Sequence, residues 1–231
     1  MHTYYDVSVD GIHLFTKGIY AVKRPNMPSP EKVYITHDIM GADGSLYIDT
    51  GNYSDITLDI EFNYLVNEDL WAEAFRIAKR YILNGKELRL SDDQNVYYKI
   101  KKVNIGTSNR PTKRIGKFTA TFTLDPYAYF VNGKHPVDIV NGQVYNKYDR
   151  SLPRYELTGS GTGKLIVNGK QCTFNRSVVI DVTKRCTFVD GEVDNTAISG
   201  RYSDLTLNYG INTISVEGDY TLKVIPNWRQ V

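Results

Sequence analysis

The stretch Gly159-Ser160-Gly161-Thr162-Gly163-Lys164 is the part of this sequence that most resembles a phosphate-binding loop. A nucleotide P-loop places a Gly five residues before the Gly-Lys pair, where Thr158 stands, and a Ser or Thr after the Lys, where Leu165 stands. The dinucleotide fingerprint needs Gly at position 164. Leu165-Ile166-Val167 reads as a strand, so no helix N-terminus faces the loop to receive a phosphate. The expectation is a hairpin loop. The histidines His2, His13, His37 and His135 show no metal-ligand spacing, and Cys172 and Cys186 are too few for a zinc site or a disulfide framework. Each cysteine is expected to be a buried structural thiol. No Gly-x-Ser-x-Gly elbow occurs, and neither cysteine has a histidine nearby in sequence. Asp92-Asp93 are adjacent carboxylates at a predicted hairpin, where aspartates form turns. A carboxylate pair for sugar hydrolysis need not be close in the chain, but nothing points to one. The reading is a protein with no catalytic, cofactor-binding or metal-binding residues, and no cofactor.

A formal net charge of +2 over 231 residues implies neither a nucleic-acid binder nor an acidic tail. The N-terminus lacks the basic and apolar regions of a signal peptide. The longest purely apolar run, Tyr127 to Val131, is far short of a membrane span. A soluble product made in the cytosol is expected. The charge is nevertheless unevenly placed. From Gln94 to Leu124 there is no Asp or Glu, while Lys99, Lys101, Lys102, Arg110, Lys113, Arg114 and Lys117 all fall there. Gly106 to Gly116 reads as a long basic loop between two strands. It is either a solvated hairpin or a contact for an acidic surface on a neighbouring subunit. Nucleic acid ranks third, because the loop offers no stacking aromatic.

The elements that would position these groups are mostly strands. Ile56, Leu58, Ile60, Phe62 and Tyr64 alternate with polar residues, as do Phe118, Ala120, Phe122 and Leu124, the period of half-buried strands. Asp10-Gly11 should turn a hairpin between strands at 4–9 and 12–15, and Val33 to Thr36 another strand before the turn Gly41-Ala42-Asp43-Gly44. Leu88–Leu90 and Val96–Val103 form a further pair. Leu70, Trp71, Ala74, Phe75, Ala78, Tyr81 and Ile82 recur at helical spacing, predicting a helix over 67–84 with Asn67 as N-cap and Asn84-Gly85 as a left-handed stop. Three prolines within Arg24-Pro25-Asn26-Met27-Pro28-Ser29-Pro30 predict an exposed, stiff arm. Asp125-Pro126 should stop the strand before it, and Asn132-Gly133 marks a joint. Residues 1–133 are expected to form one domain and 134–231 a second. In the latter, turns at Asn141-Gly142, Asn168-Gly169, Asp190-Gly191 and Gly218-Asp219 separate short strands at 165–167, 178–182, 205–207, 213–216 and 221–225, the pattern of a β-sandwich.

The Gly41–Gly44 turn before a long alternating strand, the single helix, and Phe122-Thr-Leu-Asp-Pro-Tyr127 closing the first half come in a distinctive order. They are followed by Gly159-Ser-Gly161, Leu165-Ile-Val-Asn-Gly169, Val179-Ile-Asp181, Gly210-Ile-Asn212-Thr-Ile214 and Ile225-Pro226-Asn-Trp228-Arg229. In that order and spacing the chain resembles the distal tail proteins of siphovirus-type phages and prophages of Gram-positive bacteria. The resemblance implies a mainly β fold with one helix. A tail-tube-like β-sandwich or barrel-like domain would be followed by a galectin-like β-sandwich, with residues 225–231 returning to the first domain. It implies a structural virion protein of the phage tail tip, assembled in the bacterial host cytoplasm. Six copies would form a ring joining the tail tube to the tail-tip or baseplate hub and supporting host-adhesion proteins. The implied partners are the chain itself, the tube protein, the tail-associated lysin or hub protein, and the tape-measure and receptor-binding proteins. No nucleic-acid specificity and no membrane are implied.

Arg24, Pro25, Met27, Pro28 and Pro30 of the arm, and Arg110, Lys113, Arg114 and Lys117 of the basic segment, are the candidate subunit contacts. Some relatives insert a carbohydrate-binding module in the second domain, and about a hundred residues leave no room for it. The alternative function is a carbohydrate-binding module for attachment to the host cell wall. Against it, the only Trp in the second half is Trp228, near the end. A cell-wall hydrolase is the further rival, and would lose activity on changing a specific Asp or Glu.

Overall fold

The computed structural model describes residues 5–41 and 43–231, so His2 and Ala42 lie outside the described residues. The chain divides into two compact units, one reaching to Ala128 and including Val231, the other Tyr129–Gln230. In the first are β1 (Val7–Val9), β2 (Ile12–His13), β3 (Ile19–Ala21), β4 (Lys32–Asp38), β5 (Ser45–Tyr53) and β6 (Ile56–Leu65). The helix α1 (Trp71–Leu83), β7 (Glu87–Leu90), β8 (Val96–Ile105) and most of β9 (Ile115–Phe130) complete it. The main sheet runs β2-β1-β7-β8-β9-β6-β3, while β4 and β5 form a separate two-stranded sheet. The second unit holds β10 (Gln143–Asn146), β11 (Arg154–Val167), β12 (Lys170–Asp181), β13 (Cys186–Val189), β14 (Glu192–Val193), β15 (Ile198–Ser199), β16 (Gly210–Ile225) and β17 (Arg229–Gln230). Its sheet runs β10-β16-β11-β12-β13-β14, with β15 against β12. The protein is mainly β, with α1 the α-helix among the described residues.

The period-2 pattern of β6 does what it predicts: Ile56, Leu58, Ile60, Phe62 and Tyr64 are all at most 4% exposed. Opposite them on β9 the register sets Leu124, Phe122, Ala120 and Phe118 against Ile56, Leu58, Ile60 and Phe62. A one-residue slip would move this whole set into water, at about 1.5–3 kcal/mol for each large side chain. Ala78 and Ile82 of α1 are buried in the same core, with Trp71, Phe75 and Tyr81 partly covered against it.

Several local expectations are corrected. Asn67 makes no capping hydrogen bond; a 3-10 turn, Glu68–Leu70, precedes the helix, and the Asn67 side-chain oxygen accepts from Arg114 Nη2 at 3.3 Å. The helix does not stop in a left-handed residue. Asn84 has φ −97°, and Gly85 serves close packing instead, since a Cβ there would lie 2.3 Å from Val9 Cγ1. Residues 14–17 form a 3-10 turn, not strand. Asp125-Pro126 does not end β9, which continues to Phe130. The ladder with β6 ends at Leu124, so the missing Pro126 N–H breaks no bond to that strand. The division between units accordingly falls inside β9, not at Gly133.

In the second unit the Asn-Gly and Asp-Gly turns are as expected. Asn168-Gly169 and Asp190-Gly191 take positive φ at both residues and join β11 to β12 and β13 to β14. The separate short strands, however, are parts of long bent ones. Gly159–Gly163 is no hairpin loop but lies within β11, where the register with β12 shifts twice. Close packing explains the glycines: a Cβ on Gly159 would lie 2.1 Å from the Asp219 carbonyl oxygen and 2.7 Å from the Tyr220 ring, one on Gly163 2.6 Å from both Phe174 and Tyr220, and the Tyr220 hydroxyl donates to the Gly161 carbonyl at 2.5 Å. Residues 205–207 are not strand either; Leu205 ends a 3-10 turn, and its carbonyl accepts from the buried Tyr155 hydroxyl at 2.9 Å. Residues 225–230 fall in this unit by compactness, while β17 pairs with β9. Trp228 is buried beside Tyr148, whose ring stacks on Phe130 at 3.9 Å, and the Asn227 N–H donates to the Gly133 carbonyl.

Candidate assembly surface

The residues first considered for chemistry are dispersed and structurally engaged. Asp92 accepts from the Tyr5 hydroxyl at 2.7 Å, and Arg24 stands 3.7 Å from its other oxygen. Burial, then the neighbouring carboxylate, pushes the Tyr5 phenol well above its usual range. Asp93 accepts from the Asn95 N–H at 2.9 Å, as a turn residue does. His13 Nδ1 lies 2.6 Å from Asp6 and ties β2 back to the start of β1. Cys172 is fully buried, and burial pushes its thiol up to about 11, whereas Cys186 is only half-buried. Among the described residues no group of three or more His, Cys, Asp or Glu is arranged to hold a metal ion. No described helix is long and apolar enough to cross a membrane.

The most unusual surface is the β4–β5 hairpin. Every residue of β4 is exposed, and β5 is exposed along most of its length. Cross-strand register places Ile35 opposite Ile48 and His37 opposite Leu46, so these share one face, while Tyr34, Thr36, Tyr47 and Asp49 share the other. Ile35, Leu46 and Ile48 are 45–50% exposed, and Met40 at the tip is fully so. Few isolated two-stranded hairpins hold in water without something to pack on. This one is braced by Lys32–Asp49 at 2.9 Å, by the Thr50 hydroxyl donating to the Val33 carbonyl at 2.7 Å, and by Tyr34 edge-on to Tyr47. Its root is tied down. Lys101 lies 2.5 Å from Asp55 and 3.7 Å from Asp125, Tyr53 packs edge-on against Tyr127, and residues 31 and 54 are hydrogen-bonded. Burial opposes the charge on Lys101, but the two carboxylates outweigh it and raise its pKa. The result is an anchored root with an uncovered apolar shaft.

The contact residues chosen from sequence lie elsewhere. Arg24, Pro25, Met27, Pro28 and Pro30 form an irregular lead into β4, with Met27 exposed. In the basic loop, Arg110 donates to the Lys113 carbonyl at 2.7 Å and the Glu68 carbonyl at 3.3 Å, and lies 5.3 Å over the Trp71 ring. Lys113 is 3.8 Å from Glu68, and Arg114 reaches Asn67. These side chains thus fold the loop onto the start of α1. Lys117 pairs with Asn63 across the β6–β9 ladder. The hairpin itself was half visible in sequence: Val33–Thr36 and the turn glycines are there, with Gly41 and Gly44 at positive φ, but β5 was not expected as a strand. The signal available was the continued alternation of Leu46 and Ile48 beyond the turn.

No family model matches the sequence, and no curated protein sequence does. Among solved structures, the chain is similar to the SPP1 Dit (gp 19.1) protein, described as a paradigm of the hub adsorption apparatus in phages infecting Gram-positive bacteria. The two share 13% identity with a TM-score of 0.59, over 98% of each chain. At that identity the likeness is one of fold, and it covers both units: this mainly β chain has a fold similar to that of the SPP1 Dit protein.

Proposed function

We propose that this chain is a structural component of a phage tail tip, a distal tail protein whose copies close into a six-membered ring. The ring joins the tail tube to the hub, and the second unit, a galectin-like sandwich, supports host-adhesion proteins. The observation that carries the reading is the anchored hairpin with its apolar face in water, in a chain whose full length follows the fold of a phage hub protein. Exposed apolar surface on an ordered support marks an interaction site. A heterologous contact repeated with the right rotation gives a closed ring. The tail tube, a tail-associated lysin or hub protein, and the tape-measure and receptor-binding proteins are the further partners of this reading. The protein acts in the virion, after assembly in the host cytoplasm.

Saccharide binding has less support. A groove in the second unit is lined by Arg154, Ser177, Lys184, Phe188 and Asp190, with the Lys184 ammonium 5.6 Å over the Phe188 ring. Light scattering across a concentration series, with negative-stain images, tests the ring. Closed rings of roughly 160 kDa from the 26.3 kDa chain support it. A monomer at every concentration, together with glycan binding, overturns it in favour of a binding module.

A further inference from the structure

The hairpin needs a receiving surface, and the first unit also carries one. At the edge of the main sheet, β3 pairs with β6 and ends the strand order. Along that edge runs a groove of about 540 Å³, lined by Tyr20, Ala21, Val22, Leu65 and Ile115. Val22 is 40% and Leu65 63% exposed, and Leu65 lies opposite Ile115 on β9. Two uncovered apolar surfaces, a projecting one and a concave one, therefore occur once each in every copy.

Their charges are complementary. The hairpin and its root, residues 31–55, carry Glu31, Asp38, Asp43, Asp49 and Asp55 against the single Lys32. The groove is bordered by Lys23, which pairs with Glu61 at 3.8 Å, and by Arg114 and Lys117, which flank Ile115 and Gly116 in a segment with no Asp or Glu. Asp38 closes β4 just before the exposed Ile39 and Met40, so the tip presents apolar groups between acidic ones. The groove presents apolar groups beside the basic side chains of Arg114 and Lys117. Seven residues of β4 span roughly 23 Å in extended form.

We infer that the β4–β5 hairpin of one copy docks by its tip, Ile39 and Met40, into the Val22–Leu65–Ile115 groove of the next copy, with Asp38 and Asp43 facing Arg114 and Lys117. The inference rests on the ring reading and names its donor and acceptor. Because donor and acceptor differ, the contact is heterologous, as a ring requires.

Disulfide trapping tests it without depending on the ring. Met40→Cys and Leu65→Cys both fall on exposed side chains, so neither should disturb folding, and Cys186→Ser removes the half-buried native thiol. A mixture of the two single variants, mildly oxidised, should give a covalent dimer; either variant alone should give at least tenfold less. The double variant should give a ladder ending at the closed ring. Met40→Asp should weaken self-association at least tenfold and leave the unfolding midpoint unchanged. Oligomers that form by light scattering without a Met40–Leu65 crosslink would overturn the assigned acceptor while the ring reading stands. Dimers from Met40→Cys alone, equal to those of the mixture, would replace it with a tip-to-tip contact. A strict monomer up to millimolar concentration, uncrosslinked, would overturn both.

Discussion

Replacing Gly116 by Ala tests the packing that holds the basic loop in place. Gly116 lies opposite Tyr64 in the β6–β9 register, and its φ is not in the left-handed region. Backbone freedom alone would therefore make Ala stabilising, by about 0.4–1 kcal/mol. The structure gives the opposite sign. A Cβ on Gly116 would lie 2.1, 2.3 and 2.5 Å from Tyr64 Cζ, Oη and Cε2, against the roughly 3.5–4 Å of an ordinary carbon contact. The ring must move by about 1–1.5 Å, and it has little room. Tyr64 is 2% exposed, stacked on Phe75 and tilted against Trp71 and Phe118, and its hydroxyl is 3.0 Å from Ser108 Oγ. Overpacking of this kind costs about 1–3 kcal/mol, so after the backbone gain a net loss of about 1–2 kcal/mol is expected. Urea unfolding with unchanged slope would measure it. Gly106→Ala is the control: its nearest neighbour is the Thr119 carbonyl at 3.5 Å, so it should be stabilising by up to about 1 kcal/mol. Combining Gly116→Ala with Tyr64→Leu should recover at least about 1 kcal/mol of coupling. A neutral or stabilising Gly116→Ala, or no coupling with Tyr64→Leu, would refute the reasoning. The Tyr64–Ser108 bond reaches into the loop, so the variant should also speed proteolysis at 106–114.

Four other measurements follow from the same structure. With Ellman's reagent the native protein should show Cys186 reacting quickly and Cys172 only on unfolding, because a fully buried thiol raised to about 11 is protonated at neutral pH. Its contribution to stability is intact below the ordinary thiol value of 9.0 and is lost as pH rises through about 11, at most about 1.4 kcal/mol per pH unit, read from denaturant midpoints across that window. Tyr155→Phe leaves the buried Leu205 carbonyl without its hydroxyl donor and should cost about 1–2 kcal/mol; a loss under 0.3 kcal/mol would deny that bond its role. Trp228→Ala removes a buried ring from the second core and should cost about 3–5 kcal/mol in thermal or urea unfolding. A change under 1 kcal/mol would mean that the chain end contributes little to that core.

What the residues determined alone is what depends on short-range periodicity. The alternation in β6 and β9, the helical stripe ending at Ile82, and the Asn-Gly and Asp-Gly turns are all where local pattern puts them, because sterics and one-sided burial act over a few residues. The motifs of the sequence also resemble those of distal tail proteins, and the fold is similar to that of the SPP1 Dit protein. Tertiary structure decided the rest. It turned the glycines at 159–163 from a supposed loop into a bulged strand shaped around Tyr220, 57 residues beyond Gly163 in sequence. It made Gly85 a packing glycine against Val9, and let β9 run through Pro126 because its β6 neighbour had already ended. It bound Arg110 and Arg114 to the start of α1, although their sequence reads only as positive charge. Above all it left Ile35, Met40, Leu46 and Ile48 in water. Alternation tells that a strand has an apolar face; whether that face meets its own core or another molecule depends on where the rest of the chain goes, which no local pattern encodes.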